Sequence, residues 1–303
     1  MSTLQLVLTA ALTLMLPSVG AAQQSSTKET QQGAIVLGPS APGNTLADRK
    51  TVIPTTEELI KRGPKVAVNI AAEEMGMVRL PQRVTTALNT LEFQASGTMA
   101  EMGADGKWSD YRVSKLIFGM DFVIPACRME MELVGSGTRK QHEIRVAAGK
   151  QAWDEEKPGI DGKPMPDTAA VERERLIWLT PQGATWAAML AGDKAVLSNE
   201  GGRLTISFSI DDEPVKVLLN AQLQPERIEM QAHSSTYGNT VFVATYMGYK
   251  DFEGYLVPFP TKMTYKAGGR TILDLDVKSQ ISNPYVIFPR PSTMRSEAAA
   301  KPR

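Results

Sequence analysis

Leu204-Thr205-Ile206-Ser207-Phe208-Ser209 alternates apolar and polar side chains residue by residue. Successive side chains on a strand point to opposite faces, so this stretch reads as a β-strand with one face in a core and the other in water. The same period of two recurs at Ile228/Met230, at Phe242/Ala244/Tyr246 and at Leu273/Leu275/Val277. Gly201-Gly202, Asp211-Asp212, Tyr237-Gly238-Asn239 and Gly268-Gly269 punctuate these runs as turns. Leu204 to Val277 is therefore expected to be a succession of antiparallel strands, and it carries no catalytic constellation.

Upstream, Phe93, Ala95, Gly97 and Met99 alternate with Gln94, Ser96 and Thr98, and Gly103-Ala104-Asp105-Gly106 turns the chain into a second strand from Trp108 to Phe118. Ala126 to Leu133 puts Cys127, Met129, Met131 and Leu133 on one face and Arg128, Glu130 and Glu132 on the other. After a turn at Gly135-Ser136-Gly137, Gln141 to Ala148 is expected to present His142, Ile144, Val146 and Ala148 as its apolar face. Lys157 to Pro166, with three prolines and two glycines, is expected to be a loop. Asp167 then caps a helix running to Leu179, and Thr180-Pro181 starts another as N-cap and first helical residue. Trp186, Ala187, Met189 and Leu190 give this second helix an apolar stripe, and Gly192 ends it. Helices inserted between two sets of strands suit a sheet that needs one bare apolar face covered.

Towards the N-terminus, Thr55 and Glu58 form a capping box that opens a short helix to Arg62, stopped by Gly63-Pro64. Lys65 to Met77 has no single period, and Val84 to Leu91 has helical character, with Ala87, Leu88 and Leu91 on one side. Leu4 to Leu16 is an apolar run broken by Pro17 and followed by Ser18-Val19-Gly20-Ala21-Ala22. That pattern predicts a secretory signal peptide over 1–22, cleaved after Ala21 or Ala22, although no Lys or Arg precedes the run. The run is too short to span a bilayer, so no transmembrane segment is expected. The organisation that follows is a Gln/Ser/Gly/Pro-rich disordered leader over 23–50, one α+β domain over 51–285 and a disordered tail over 286–303.

Thirty-three basic and 33 acidic residues leave no net charge, and nothing resembles the basic excess of a nucleic-acid binder. With Cys127 as the one cysteine there is no intrachain disulfide, so an exported domain of this size rests on its core alone, which suits a periplasm.

Two stretches carry a family resemblance. Ala87-Leu88-Asn89-Thr90-Leu91-Glu92-Phe93-Gln94-Ala95-Ser96-Gly97 resembles the entry to LolA-like, lipoprotein-carrier-like periplasmic domains. Tyr246-Met247-Gly248-Tyr249-Lys250-Asp251-Phe252-Glu253-Gly254, with Pro258, Pro260 and the strand after Gly268-Gly269, resembles the final hairpin of the same group. Leu176 to Gly183 is similar to the helix-start segment of uncharacterised exported domains of this kind, and the likeness spans roughly 83–285 in order. The resemblance implies an antiparallel sheet curled into an incomplete barrel, with helices against its concave face. In carrier members that concavity holds acyl chains.

The residues themselves offer little chemistry. His142 and His233 fall short of the three protein ligands of a catalytic zinc, His233 and Ser234 alternate onto opposite faces, and no Gly-x-Ser-x-Gly elbow occurs. Cys127 reads as a small buried hydrophobe, and Asp154-Glu155-Glu156 and Asp211-Asp212-Glu213 as solvated turns. No catalytic residue, metal or cofactor is assigned. Fifteen methionines spread over the fold suit an adaptable apolar lining. The expected wall of a ligand site is Met129, Met131, Leu204, Ile206, Phe208, Phe242, Tyr246, Leu273 and Leu275, with Trp178 and Trp186 on the covering helices. The expectation is thus a periplasmic, non-catalytic protein that binds an apolar or acyl-chain ligand or a lipoprotein. The rival is an envelope structural or assembly protein with a closed core, distinguished by whether several hundred Å3 of cavity lie between sheet and helices. A hydrolase comes third, and requires a histidine within hydrogen-bond reach of a carboxylate in a cleft.

Overall fold

The computed structural model describes residues 53–78, 87–103, 105–135, 140–160, 162–292 and 294. The signal peptide and leader, the start of the 84–91 stretch and the end of the tail lie outside these residues.

Two helices lead, α1 (Thr56–Arg62) and α2 (Pro64–Glu74). The Thr55/Glu58 capping box is formed in both directions. Gly63 ends α1 with φ 87°, but Pro64 then opens α2 as its first residue, so the expected stop is a joint between two helices. The mixed period of Lys65–Met77 has its cause in α2. Ala67, Val68, Ala71 and Ala72 form the buried stripe, while Val66 and Ile70 lie off it.

A meander of six strands follows: β1 (Thr90–Met102), β2 (Trp108–Asp121), β3 (Ala126–Val134), β4 (Lys140–Ala148), β5 (Gln151–Glu155) and β6 (Lys163–Met165). Ala87 to Asn89 are not helical, and β1 starts at Thr90, which corrects the helical expectation for that end of the stretch. The expected loop over 157–166 contains the short edge strand β6, paired with β5. Helices α3 (Asp167–Trp178) and α4 (Pro181–Ala191) come next. Pro166 occupies the N-cap of α3, with Asp167 in its first turn where the dipole favours a carboxylate. Thr180 caps α4 by accepting from the Gly183 amide, as its position beside Pro181 predicts. The expected stripe on α4 needs correction: Leu190 is 71% exposed, and the buried face is Ala184, Thr185, Ala187 and Ala188.

The chain then returns through β7 (Val196–Glu200), β8 (Arg203–Ile210), β9 (Glu213–Leu219), β10 (Pro225–Ser234) and β11 (Gly238–Met247). A two-stranded excursion, β12 (Lys250–Asp251) with β13 (Pro258–Phe259), precedes β14 (Lys262–Ala267) and β15 (Arg270–Ser282).

Thirteen strands form one open antiparallel sheet in the order β6-β5-β4-β3-β2-β1-β15-β14-β11-β10-β9-β8-β7. The chain starts in the middle, walks out to one edge, crosses by α3 and α4 to the other edge, and walks back. The β1–β15 pair is the seam between the two wings. Gly97 lies there opposite Leu275, and a Cβ on it would fall 1.9 Å from the Asp274 carbonyl oxygen, so only glycine fits.

The sheet curls. Arg173 on α3 donates to the Val146 and Trp153 carbonyls on β4 and β5. Two residues on, Arg175 donates to the His233 carbonyl on β10. Strands β4 and β10 are seven places apart in the order above, about 34 Å in a flat sheet at ~4.8 Å per strand. One helix with side chains is only about 10–12 Å across, so the wings must bend towards each other around α3. Helix α3 packs on β3, β4 and β5, α4 on β8 and β10, and α2 on α4. This is the architecture the resemblance implied: an incomplete antiparallel barrel with helices against one face.

The main core lies between that face and the helices, and includes Phe93, Leu116, Met131, Ile206, Ile228, Met263 and Leu275. A second, smaller core lies on the outer face, built from Ile144, Val146 and Trp153 with Met294, and flanked by Phe288. The C-terminal segment thus crosses the outside of the β1–β5 wing: the Asn283 amide donates to the Thr90 carbonyl, and the Ile287 carbonyl accepts from Arg128.

Candidate ligand cavity

On β4 the sheet reverses its polarity. Met129 on β3 pairs with Arg145 and Met131 with Glu143, so on the inner face apolar side chains give way to charges. Ile144 and Val146 point outward into the small core under Phe288 and Met294. The expected apolar face of β4 is therefore apolar but outward, since the tail covers it. His142 shares that face, 44% exposed, with Nε2 3.1 Å from Glu130 Oε1.

The charged inner patch of β4 and β5 faces the side of α3 that carries Ala169, Glu172, Arg173 and Leu176, spaced three and four apart and so on one side of the helix. Between them lies a cavity of about 670 Å3. Its apolar wall includes Met129, Met165, Leu176, Leu179, Phe242 and Ile272, and Tyr237 and Tyr265 add aromatic surface.

The polar wall is a set of closed pairs. Arg145 Nη2 lies 2.9 Å from Glu101 Oε1 and 2.6 Å from Glu143 Oε2, so one guanidinium on β4 draws in a carboxylate from β1. Arg173 Nη2 lies 2.6 Å from Asp154 Oδ1. Arg175, 4% exposed, reaches Glu213 at 3.2 Å, and its guanidinium carbon sits 4.7 Å above the Phe242 ring centroid. Glu172 Oε1 accepts from Ser234 Oγ, the Ser235 amide and Ser235 Oγ at 2.9, 2.8 and 2.7 Å, which ties α3 to the β10–β11 turn. Burial alone would raise the Glu172 pKa, but these three donors and the nearby Arg175 charge outweigh it and hold the carboxyl below its ordinary value. Burial, with Glu101 and Glu172 close by, pushes the Tyr237 phenol up. At the same end, the Tyr237 ring stacks on Trp108 at 5.8 Å, with the Arg270 guanidinium 4.0 Å from the Trp108 centroid.

The expected wall residues divide into groups. Met129 and Phe242 line this cavity. Leu204 and Tyr246 line a separate hollow at the opposite strand ends, beside the start of α1. Met131, Ile206, Phe208 and Leu275 are buried in the main core, Leu273 and Trp186 pack against it half-buried, and Trp178 is buried with its indole donating to Glu174. Glu101, Glu143, Arg145, Glu172, Arg173 and Arg175 went unassigned by sequence reasoning. Their signal was present on α3, where Glu172 and Arg175 lie three residues apart and alongside Leu176 and Leu179, on the side that must meet the sheet.

Cys127 is buried, and burial pushes its thiol up to about 12, which keeps it protonated and inert. His233 Nδ1 lies 2.9 Å from Asn239 Oδ1. His142 is within hydrogen-bond reach of a carboxylate, Glu130, but neither imidazole hydrogen-bonds a Ser, Thr or Cys side chain among the described residues. Among those residues, no helix is long and apolar enough to cross a membrane, and no three His, Cys, Asp or Glu side chains converge to hold a metal ion.

Among solved structures, the chain is similar to a LolA superfamily protein from Nitrosomonas europaea. The two share 12% identity over 77% of this chain and 96% of that one, with a TM-score of 0.41. No family model and no curated protein matches the chain.

Proposed function

We propose that this is an exported, periplasmic, non-catalytic protein that binds a lipid-like ligand, or the acylated part of a lipoprotein, between α3 and the curled sheet. The observation that carries the reading is the cavity of about 670 Å3 with one apolar and one polar wall. Ligand cavities fall in the range of about 300–1,000 Å3 and pair apolar lining with a few placed polar groups. The acyl-chain cargo implied by the sequence resemblance is of matching chemistry. Met129 and Phe242 are the wall residues of this site, and the apolar side chains deeper in the core hold its shape.

Protein purified from its native envelope, extracted with organic solvent and weighed by native mass spectrometry, tests the reading. The expected result is a mass excess that extraction removes, identified as an acyl-containing molecule, on a chain that begins after Ala21 or Ala22. Leu176→Trp, which fills the cavity from α3, is expected to abolish the excess while leaving the far-ultraviolet circular dichroism unchanged. A ligand-free native protein would overturn it.

A further inference from the structure

We infer that the outer rim of the sheet, where the C-terminal segment crosses it, docks on an anionic lipid surface. The inference is independent of the ligand-binding reading above. Asn283 fixes the start of the crossing: its side-chain oxygen accepts from the Asn89 and Thr90 amides, and Thr90 Oγ1 donates to the Pro284 carbonyl. From there the side chains alternate. Val286 and Phe288 line a small hollow with Glu92, Gly119 and Arg128, whereas Tyr285 and Ile287 are exposed, Tyr285 by 92%. The β2–β3 turn lies beside the same start, because the Phe122 amide donates to the Asn89 carbonyl. It presents Val123 and Ile124, the latter 70% exposed. Ile281 stands opposite Glu92 at the seam, and so on the same outer face, and adds a fifth exposed apolar side chain. Exposed apolar residues scattered singly need no explanation, but a group of them at one rim marks a contact surface.

Two features favour lipid as the occupant. The backbone of the turn is prepared to leave water: Asp121 Oδ1 accepts from the Val123 and Ile124 amides at 2.8 and 3.0 Å. An apolar environment requires such groups to be satisfied within the protein. The charges beside the patch are basic. Exposed Lys150 sits in the adjoining β4–β5 turn, whose Gly149 amide donates to the Pro125 carbonyl. The sequence that follows the crossing carries Arg290, Arg295, Lys301 and Arg303 against Glu297. The nearby carboxylates are turned to internal work, Asp121 on the turn amides and Glu92 and Glu130 in the hollow under Phe288. Exposed apolar side chains flanked by Lys and Arg suit a membrane interface, whose anionic head groups attract those cations. A second copy is the poorer occupant, because a twofold contact brings the same basic segment against itself.

Co-sedimentation with extruded vesicles at neutral pH tests the proposal, on protein expressed in and purified from its own host and stripped of lipid. Binding to mixed phosphatidylethanolamine and phosphatidylglycerol vesicles is expected. It should weaken at least about tenfold in phosphatidylcholine alone, or when salt rises from about 0.05 M to about 0.5 M. Ile124→Ser/Tyr285→Ser, at exposed positions that place no demand on the core, should also weaken it at least about tenfold. Leu190→Ser on α4, where the leucine is as exposed as Ile124, should leave it unchanged. Absence of vesicle binding, binding indifferent to salt, or a double variant that binds like the parent would overturn the proposal, as would an equal loss in Leu190→Ser. A concentration-dependent dimer that ignores vesicles and is abolished by the double variant would overturn it in favour of a second copy. None of these outcomes bears on the cavity under α3.

Discussion

The two wings of the sheet solve the same burial problem in different ways. On the β8–β11 wing the inner face is apolar along its length, with Leu204, Ile206, Phe208, Val215, Val217, Ile228, Met230 and Phe242 all buried against the helices. On the β1–β5 wing the inner face starts apolar at Phe93, Leu116 and Met131 and becomes ionic at Glu143, Arg145 and Asp154, while the outer face becomes apolar. The first wing works as a wall. The second carries a hydrophobic core on each side over part of its length, and the space that its inner charges leave beneath α3 is the cavity. Alternation fixes which residues share a face, but what covers that face decides which face is core.

Met131→Glu gives the largest expected effect. Met131 is wholly buried on the inner face and stands opposite Glu143 across the β3–β4 pair. A second carboxylate there has neither water nor a partner, and the cost should reach roughly 5 kcal/mol or more, comparable to the whole stability of a domain. Loss of the cooperative unfolding transition in urea is the expected readout. A variant as stable as the parent would show that the ionic patch extends to β3 and that the two wings do not differ as described.

The outer core supplies the next test. Glu155 is fully buried, takes two hydrogen bonds from Arg128 at 3.0 and 3.1 Å, and accepts from the Trp153 indole at 2.9 Å. Glu155→Gln leaves the 18%-exposed Arg128 side chain without its charge partner, at an expected cost of about 3–4 kcal/mol. Phe288 lies against the same guanidinium, so the variant should also expose the segment beyond Asn283 to limited proteolysis. Fast cleavage of the parent in that segment would remove the outer core from the comparison.

At the seam, Gly97→Ala places a methyl 1.9 Å from backbone, which must move for the strands to pair. The expected loss is about 3 kcal/mol, read from the denaturation midpoint, with both wings unfolding together. A variant that lost one wing only would show that the wings are separate cooperative units.

Much of the sheet was legible in the chain because strands, turns and caps are local. The period of two located the strands of both wings, Asp211-Asp212 marked a hairpin whose two residues both adopt positive φ, and Thr180-Pro181 marked the start of α4. What was not legible depends on contacts distant in sequence. The outward face of β4 is apolar because of Phe288 and Met294, about 140 residues on by numbering, and β4 itself carries no mark of it. The cavity was foreseeable as a possibility of the architecture, but its polar wall joins β1, β4, β5, α3 and the β10–β11 turn, which no single stretch encodes. On α2 the apolar Val66 and Ile70 obscured a stripe made of alanines.

The smallest expected effect concerns the tie between the wings. Glu172 joins α3, which packs on the β3–β5 wing, to Ser234 and Ser235 on the other. Its pKa is lower folded than the ordinary 4.5 of a glutamate, because the serine donors and Arg175 outweigh burial. A lowered folded pKa means the unfolded chain binds the proton more tightly, so the contribution is fully present above the unfolded value and is lost as pH falls through the folded one. Partly exposed, the group should contribute no more than about 1 kcal/mol. The difference in urea midpoint between the parent and Glu172→Gln should therefore be constant from pH 7 down to about 5, then shrink towards zero as the parent's carboxyl protonates. If the difference instead grew on acidification, Glu172 would be stabilised as its protonated form, and the hydrogen bonds at the β10–β11 turn would run from the carboxyl to the serines.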